Sequence, residues 1–199
     1  MVKDIYKDIM EIKKFALEKN VPIMQDDTID FITNYIAQRN IKKILEIGTA
    51  IGYSAIMMCL SSPEVSVVTI EKDKDRYIEA LKNIKKFGLE NRITLIYNDA
   101  LEIKLNNKYD LIVIDAAKGK NLEFFKSFEH NLEINGSVIT DNINFHGYVK
   151  KNLEEISSKN IRSLVKKIRA YIEFLDNNTF YITKYYDLGD GISVSERRI

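Results

Sequence analysis

Short apolar, β-branched runs alternate along this chain with longer stretches whose apolar residues recur every three to four positions, the signature of strands interleaved with helices. The runs predict strands at about Lys42–Ile47, Val65–Glu71, Ile93–Asn98, Leu111–Asp115 and Ser137–Thr140. Between them, Tyr53–Leu60, Asp73–Phe87 and Asn121–Leu132 read as helices, the second closed by Gly88 and the third followed by the turn signal Asn135-Gly136. Crossover helices of this length suit parallel pairing of the strands they connect. Upstream, helices at about Lys3–Lys19 and Asp26–Arg39 flank Val21-Pro22, where proline removes a donor and restricts its predecessor. Residues 1–40 are thus expected to form a helical N-terminal cap. After a basic helical stretch, TFYITKYYDL and GISVSERRI flank Gly189-Asp190-Gly191 as two strands of an antiparallel hairpin. The expectation is an α/β protein with a seven-stranded, mostly parallel sheet, an antiparallel C-terminal hairpin and helices on both faces. At 199 residues, without repeats or linkers, it is expected to form a single domain.

Composition changes this picture little: 45% hydrophobic and 30% charged residues are ordinary for a globular protein. Charges interrupt the apolar positions of the first twenty residues, so neither a signal peptide nor a membrane span is expected, and the location implied is the cytoplasm. The one cysteine, Cys59, has no partner for an internal disulfide and lies in an apolar helical stretch, where a thiol packs as a small hydrophobe. The net charge of +1 conceals a basic segment, residues 146–172, carrying Lys150, Lys151, Lys159, Arg162, Lys166, Lys167 and Arg169 against Glu154 and Glu155.

The most informative segment is Ile44-Leu45-Glu46-Ile47-Gly48-Thr49-Ala50-Ile51-Gly52-Tyr53-Ser54, a strand, a glycine-bearing turn and a helix start. Gly48 and Gly52 let backbone approach a ligand closely, and the helix start offers unpaired N–H groups to a carboxylate or phosphate. The spacing is not Gly-x-Gly-x-x-Gly, and no Lys-Ser or Lys-Thr follows as in a P-loop, which weighs against dinucleotides and nucleoside triphosphates. Glu71 closes the second strand, where an acid can accept hydrogen bonds from ribose hydroxyls, and Asn98-Asp99-Ala100 ends the third, where an Asp can meet adenine. Singly, these residues are ordinary turn glycines, caps or solvated charges. In order, at the ends of three successive strands, they fall where open α/β sheets bind ligands.

Glu46-Ile-Gly48-x-x-x-Gly52-Tyr53-Ser54, Glu71 and Asp99-Ala100 resemble the class I methyltransferases, and more narrowly the catechol and caffeoyl-CoA O-methyltransferase family. The resemblance implies a Rossmann-like fold that binds S-adenosylmethionine (SAM). Glu46 and Gly48 would line its methionine part, with Gly52 in the turn, Ser54 near the carboxylate, Glu71 on the ribose and Asp99 with Ala100 beside adenine. Asp115 is also expected among the cofactor-binding residues.

Two further strand ends carry acids, Ile114-Asp115-Ala116-Ala117-Lys118-Gly119 and Thr140-Asp141-Asn142. Asp115, Asp141 and Asn142 supply two carboxylates and an amide carbonyl without cysteine or clustered histidine, a donor set suited to Mg²⁺, Mn²⁺ or Ca²⁺ rather than Zn²⁺. Lys118 follows Asp115 by three residues and can take or steer a substrate proton, although a lone loop lysine is more often merely solvated. The family's Asp-x-x-Lys and Asp-Asn motifs match here, so the resemblance implies Asp115, Asp141 and Asn142 as metal ligands and Lys118 as catalytic. His146 carries no assigned role.

The resemblance spans nearly the whole chain, from Val21-Pro22-Ile23 to Gly189-Asp190-Gly191-Ile192-Ser193-Val194-Ser195. Its ending is similar to the bacterial branch that methylates 5-hydroxyuridine at the tRNA wobble position. In that base O5 lies beside O4, so both can chelate one metal as catechol oxygens do. Arg162, Lys166, Lys167 and Arg169, extended by Arg197 and Arg198, are candidate phosphate contacts, and Tyr148 or Tyr171 is expected near the base. Three alternatives stay open: a small catechol-like phenol as acceptor, a noncatalytic nucleotide-binding module, and an NAD-dependent oxidoreductase that the glycine spacing disfavours. The family implies a homodimer.

Overall fold

The structure is a computed structural model and describes residues 4–198. The first residue of the helix expected from Lys3, and Ile199 at the end of the expected hairpin, lie outside them. The chain folds as two compact units, Met1–Ile103 and Lys104–Ile199.

The first unit begins with α1 (Ile5–Glu18), whose start is capped by the Asp4 carboxylate accepting from the Lys7 amide at 3.2 Å. A non-helical segment through Pro22 separates it from α2 (Asp26–Arg39), which ends on Asn40 in the left-handed conformation. Strand β1 (Lys43–Ile47), helix α3 (Tyr53–Leu60), strand β2 (Ser66–Glu71), helix α4 (Lys74–Phe87) and strand β3 (Ile93–Tyr97) follow. Asp73 caps α4 by accepting from the Asp75 and Arg76 amides. Gly88 ends it at φ 68° with no atom near the position of a Cβ, so conformation rather than space requires glycine there. The strands run β3-β2-β1, all parallel, with Ile47 paired to Ile70 and Glu71 to Tyr97. Ile44, Leu45, Val67 and Ile70 are buried, as is Cys59.

The second unit contains β4 (Tyr109–Ile114), α5 (Asn121–Phe128), β5 (Leu132–Asp141), α6 (Lys159–Asn177), β6 (Tyr181–Tyr186) and β7 (Ile192–Arg197). Its strands run β4-β5-β7-β6: β4 and β5 are parallel, whereas β7 pairs antiparallel with both β5 and β6. With three strands from the first unit and four from the second, the seven-stranded, mostly parallel arrangement with an antiparallel C-terminal hairpin is present.

One element differs from expectation. The helix predicted to Leu132 ends at Phe128, and β5 already begins at Leu132, so Asn135-Gly136 lies inside a strand instead of ending a helix. Register explains how the turn signal is used: Tyr109 faces Leu132, but Leu111 faces Ser137, so the extra residues of β5 bulge out. Gly136 makes the bulge possible, because a Cβ there would stand 2.8 Å from the Leu132 side chain and 3.0 Å from the Asp110 carbonyl.

Helix α6 turns its apolar face inward through Val165, Ile168, Tyr171 and Leu175. Phe125 of α5 meets Tyr171, Phe174 and Tyr181 at centroid distances of 6.2, 5.3 and 5.0 Å, which joins α5, α6 and β6 in one aromatic cluster. Tyr171 is 1% exposed, and its hydroxyl lies 2.6 Å from the Thr140 hydroxyl. Of the two aromatics expected near the base, Tyr171 is therefore not available to touch one: its ring is enclosed by the core. Tyr171→Phe leaves the buried Thr140 hydroxyl short of a partner. It should cost about 1–3 kcal/mol in urea unfolding, with little change in the denaturant slope.

Candidate active-site residues

In the first unit the ends of β1 and β2 carry two buried acids with different surroundings. Glu46 is 0% exposed; its Oε1 accepts from the Ser54 hydroxyl at 2.5 Å and its Oε2 from the Thr69 hydroxyl at 2.5 Å. Thr69 in turn lies 2.6 Å from the Thr49 hydroxyl. Burial pushes the Glu46 carboxyl up to about 7; the two hydroxyls oppose that shift and the nearby Glu71 charge adds to it. Glu71 is held by three backbone amides: Oε2 accepts from Ala50 at 2.8 Å, and Oε1 from Lys72 at 2.9 Å and Asp73 at 2.8 Å. A carboxylate offers about four acceptor sites, so Glu71 is fixed in orientation yet keeps capacity for a ligand hydroxyl.

The turn between β1 and α3 takes left-handed backbone at Gly48 (φ 99°), Ala50 (φ 47°) and Gly52 (φ 85°). Asn83 of α4 secures it by donating to the Ile51 carbonyl at 2.8 Å. Asp99 caps the turn after β3 through the Leu101 amide at 3.1 Å and faces Lys72 at 3.4 Å, while Ala100 is buried beside it. Thr49, Thr69 and Asn83 were not singled out in the sequence; their polar side chains stand at buried positions, the signal available for them.

In the second unit, the ends of β4 and β5 bring Asp115, Lys118, Asp141 and Asn142 together. Lys118 opens a short 3-10 turn after β4 and donates from Nζ to Asn142 Oδ1 at 2.8 Å. Asn142 Nδ2 lies 3.4 Å from Asp115 Oδ1, and the Asn142 amide donates to Asp141 Oδ1 at 2.7 Å. Asn142 holds this position at φ 63°, a left-handed conformation that Asn tolerates. Asp141 is 5% exposed, and its carboxyl is raised to about 7, first by burial and then by the Asp115 charge, with Asp190 contributing.

Asp190, in the β6–β7 turn, enters this cluster although the sequence marked it only as a turn residue. Its Oδ1 accepts from the His146 amide at 2.6 Å, and its Oδ2 stands 3.6 Å from Lys118 Nζ. The loop after Asn142 follows this turn closely: Ile143 donates to the Gly191 carbonyl at 3.0 Å and Asn144 to the Asp190 carbonyl at 2.8 Å. Phe145 places its ring 5.5 Å from Lys118 Nζ and 5.7 Å from the Tyr148 ring.

The basic helix is less available than its composition suggests. Arg162 donates to the Ile156 and Ser157 carbonyls, Arg169 to those of Val149 and Lys151, and Arg197 to that of Leu132. These guanidiniums hold loops and a strand in place, while Lys166, Lys167 and Arg198 are exposed. Among the described residues no group of three or more His, Cys, Asp and Glu side chains forms a ready metal cluster, and no helix is long and apolar enough to cross a membrane.

Glu46 supplies a pH test of the first unit. Its folded carboxyl titrates at about 7 against an ordinary value of 4.5, so the folded state binds the extra proton between those limits. Its contribution is complete below pH 4.5 and is lost as pH rises through 7, to the extent of roughly 3 kcal/mol. Urea unfolding of the ligand-free protein at pH 5 and pH 8 should show that loss, and Glu46→Gln should largely remove it.

The sequence profile of the O-methyltransferase family matches residues 3–198. A Staphylococcus aureus protein provisionally described as a caffeoyl-CoA O-methyltransferase is 36% identical, and its crystal structure aligns with a TM-score of 0.91 over 96% of this chain and 92% of its own. A caffeoyl-CoA O-methyltransferase of Populus kitakamiensis is 27% identical, the alignment covering 84% of this chain and 74% of that protein. The O-methyltransferase of Bacillus cereus, solved in complex with SAH, shares the fold at 22% identity, with a TM-score of 0.83 over 96% of this chain and 91% of its own. With the family profile spanning nearly its whole length and strand ends furnished with acids, the chain belongs to the O-methyltransferase family.

Proposed function

We propose that this O-methyltransferase transfers the methyl group of SAM to a hydroxyl that lies beside a second oxygen on a planar ring, with a divalent cation at Asp115, Asp141 and Asn142. The observation that carries the reading is the convergence of these three oxygen-bearing side chains with Lys118 at the ends of β4 and β5. The donor set fits a hard cation: two carboxylates and an amide oxygen, one carboxylate so buried beside the other that its proton is held up to about 7. When bound, such a cation supplies charge stabilisation for an oxyanion and fixes the orientation of the oxygen pair.

The chain's own groups supply the rest. Lys118 stands at Asn142 Oδ1, where its Nζ can steer the proton leaving the acceptor hydroxyl. Phe145 offers a flat apolar surface beside that ammonium for an aromatic acceptor. In the first unit, Glu71 is pre-oriented for a ribose hydroxyl, and Glu46 lies buried at the end of β1 for the amino-acid part of SAM, with Asp99 and Ala100 for adenine. The methyl carbon exchanges its bond to sulfur for a bond to the acceptor oxygen, and the sulfonium leaves as the thioether of SAH.

Within this class we infer 5-hydroxyuridine of the tRNA wobble position as the acceptor, on the support of the chain's C-terminal motif and the adjacent O4 and O5 of that base. A catechol-like phenol is the second reading, favoured by the caffeoyl-CoA O-methyltransferase relative and by the engagement of Arg162 and Arg169 with carbonyls. The chain is taken to act as one domain and as a homodimer in the cytoplasm. Purified protein given SAM, Mg²⁺ and tRNA containing 5-hydroxyuridine should yield 5-methoxyuridine by nucleoside mass spectrometry. Chelator and Asp141→Ala should each reduce the yield at least about 100-fold while SAM binding persists. Turnover of tRNA should also weaken steeply with salt, whereas that of a neutral phenol should not. Methylation of the phenol alone would move the acceptor to the second reading, and full activity in chelator would overturn the metal-dependent mechanism.

A further inference from the structure

A cation on Asn142 Oδ1 would compete with the Lys118 ammonium for that oxygen. The ammonium donates to that oxygen at 2.8 Å, and the same oxygen is the amide donor of the proposed ligand set. A divalent ion on Oδ1 would face a positive charge at hydrogen-bond distance, and the ammonium would lose its acceptor. Lys118 is only partly exposed, its side chain keeping 26% of its accessible surface, so water alone replaces that acceptor poorly.

An acceptor stands ready nearby. Asp190 Oδ2 is buried without a hydrogen-bond partner, on a residue that is 7% exposed. It lies 3.6 Å from Lys118 Nζ, just beyond hydrogen-bond reach. The other carboxylate oxygen is anchored by the His146 amide at 2.6 Å, which fixes the direction of the orphaned one. A buried carboxylate oxygen without a hydrogen bond is costly even within ion-pair distance of a lysine, so its placement calls for a state in which the hydrogen bond is made. His146 is the other group facing it, with Nδ1 at 3.7 Å, but that side chain is 67% exposed and solvated.

We propose that Asp190 is the positioning residue that receives the Lys118 ammonium when a cation occupies Asn142 Oδ1. The proposal rests on the cation site advanced above. Lys118 moves by less than the length of one bond, from the amide oxygen to the carboxylate oxygen, and loading the site thereby sets the lysine in its working position. Asp190 acts through Lys118 and need not touch the acceptor itself.

Calorimetric titration of the full chain with Mn²⁺ tests this without reference to turnover. Asp190→Asn keeps an oxygen for the His146 amide but weakens the receiving contact, and should lower Mn²⁺ affinity about tenfold, the loss expected for one hydrogen bond between charged groups. Lys118→Met removes the ammonium that competes for Asn142, so in that background Asp190→Asn should no longer weaken Mn²⁺ binding. If Asp190 merely braces the 142–147 loop, Asp190→Asn costs as much in the Lys118→Met background as in the wild type, and the proposal fails. It fails equally if Asp190→Asn binds Mn²⁺ as the wild type does. Wild-type protein that binds no Mn²⁺ would overturn the cation site and this inference together, a result distinct from binding that Asp190→Asn weakens equally in both backgrounds. In a Mn²⁺-loaded crystal structure the Nζ–Oδ2 separation should close from 3.6 Å to about 2.8 Å.

Discussion

Burying like charges together is the constraint on which the second unit depends. Asp141 stands at the end of β5 with Asp115 close enough to raise its proton affinity and Asp190 adding to the same effect. Without compensation that arrangement opposes folding, because desolvated carboxylates repel and cannot recruit water. The surrounding contacts answer it locally: the Asn142 amide binds Asp141, the Asn142 side chain approaches Asp115, the His146 amide binds Asp190, and the Lys118 ammonium lies among them. Left-handed backbone at Asn142, Phe145 and His146 is part of the same solution, in the loop that brings the Asn142 and His146 amides to Asp141 and Asp190. Strain and buried charge concentrated at two strand ends are the mark of a site kept for chemistry rather than stability.

The first unit solves a milder form of the problem in another way. Glu46 is enclosed by hydroxyls from Ser54 and Thr69, and at neutral pH its proton is in balance. Glu71 is caught by three amides of two turns. Each acid is thus directional before any ligand arrives, and directional polar groups in dry surroundings distinguish a binding end from an ordinary strand terminus.

Much of this was legible in the sequence because strand ends are written locally. The β-branched runs located six of the seven strands to within about two residues, and the acids announced themselves by standing in or just after apolar runs: Glu46 before Ile47, Glu71 after Ile70 and Asp115 after Ile114. What was not legible depends on pairing. Asn135-Gly136 has the chemistry of a turn, and only its partner strand reveals that the residues form a bulge against Tyr109–Leu111. Asp190 has the chemistry of a hairpin tip, and its burial beside Lys118, far away in sequence, appears only when β7 lies along β5. Tyr171 was one of two aromatics expected near the base, yet its place on the apolar face of α6 commits it to the core. The arginines of α6 read as phosphate ligands by charge, while their guanidiniums serve the carbonyls of the loops beneath them.

We propose a divalent cation at Asp115, Asp141 and Asn142. Anomalous diffraction from crystals soaked in Mn²⁺ addresses it most directly, since the scattering locates the ion independently of any assay. The expected result is a single strong peak bonded to a carboxylate oxygen of Asp115, one of Asp141 and the Asn142 Oδ1, at about 2.2 Å from each. A peak elsewhere, or none at these three residues in a crystal that is saturated with Mn²⁺, would contradict it.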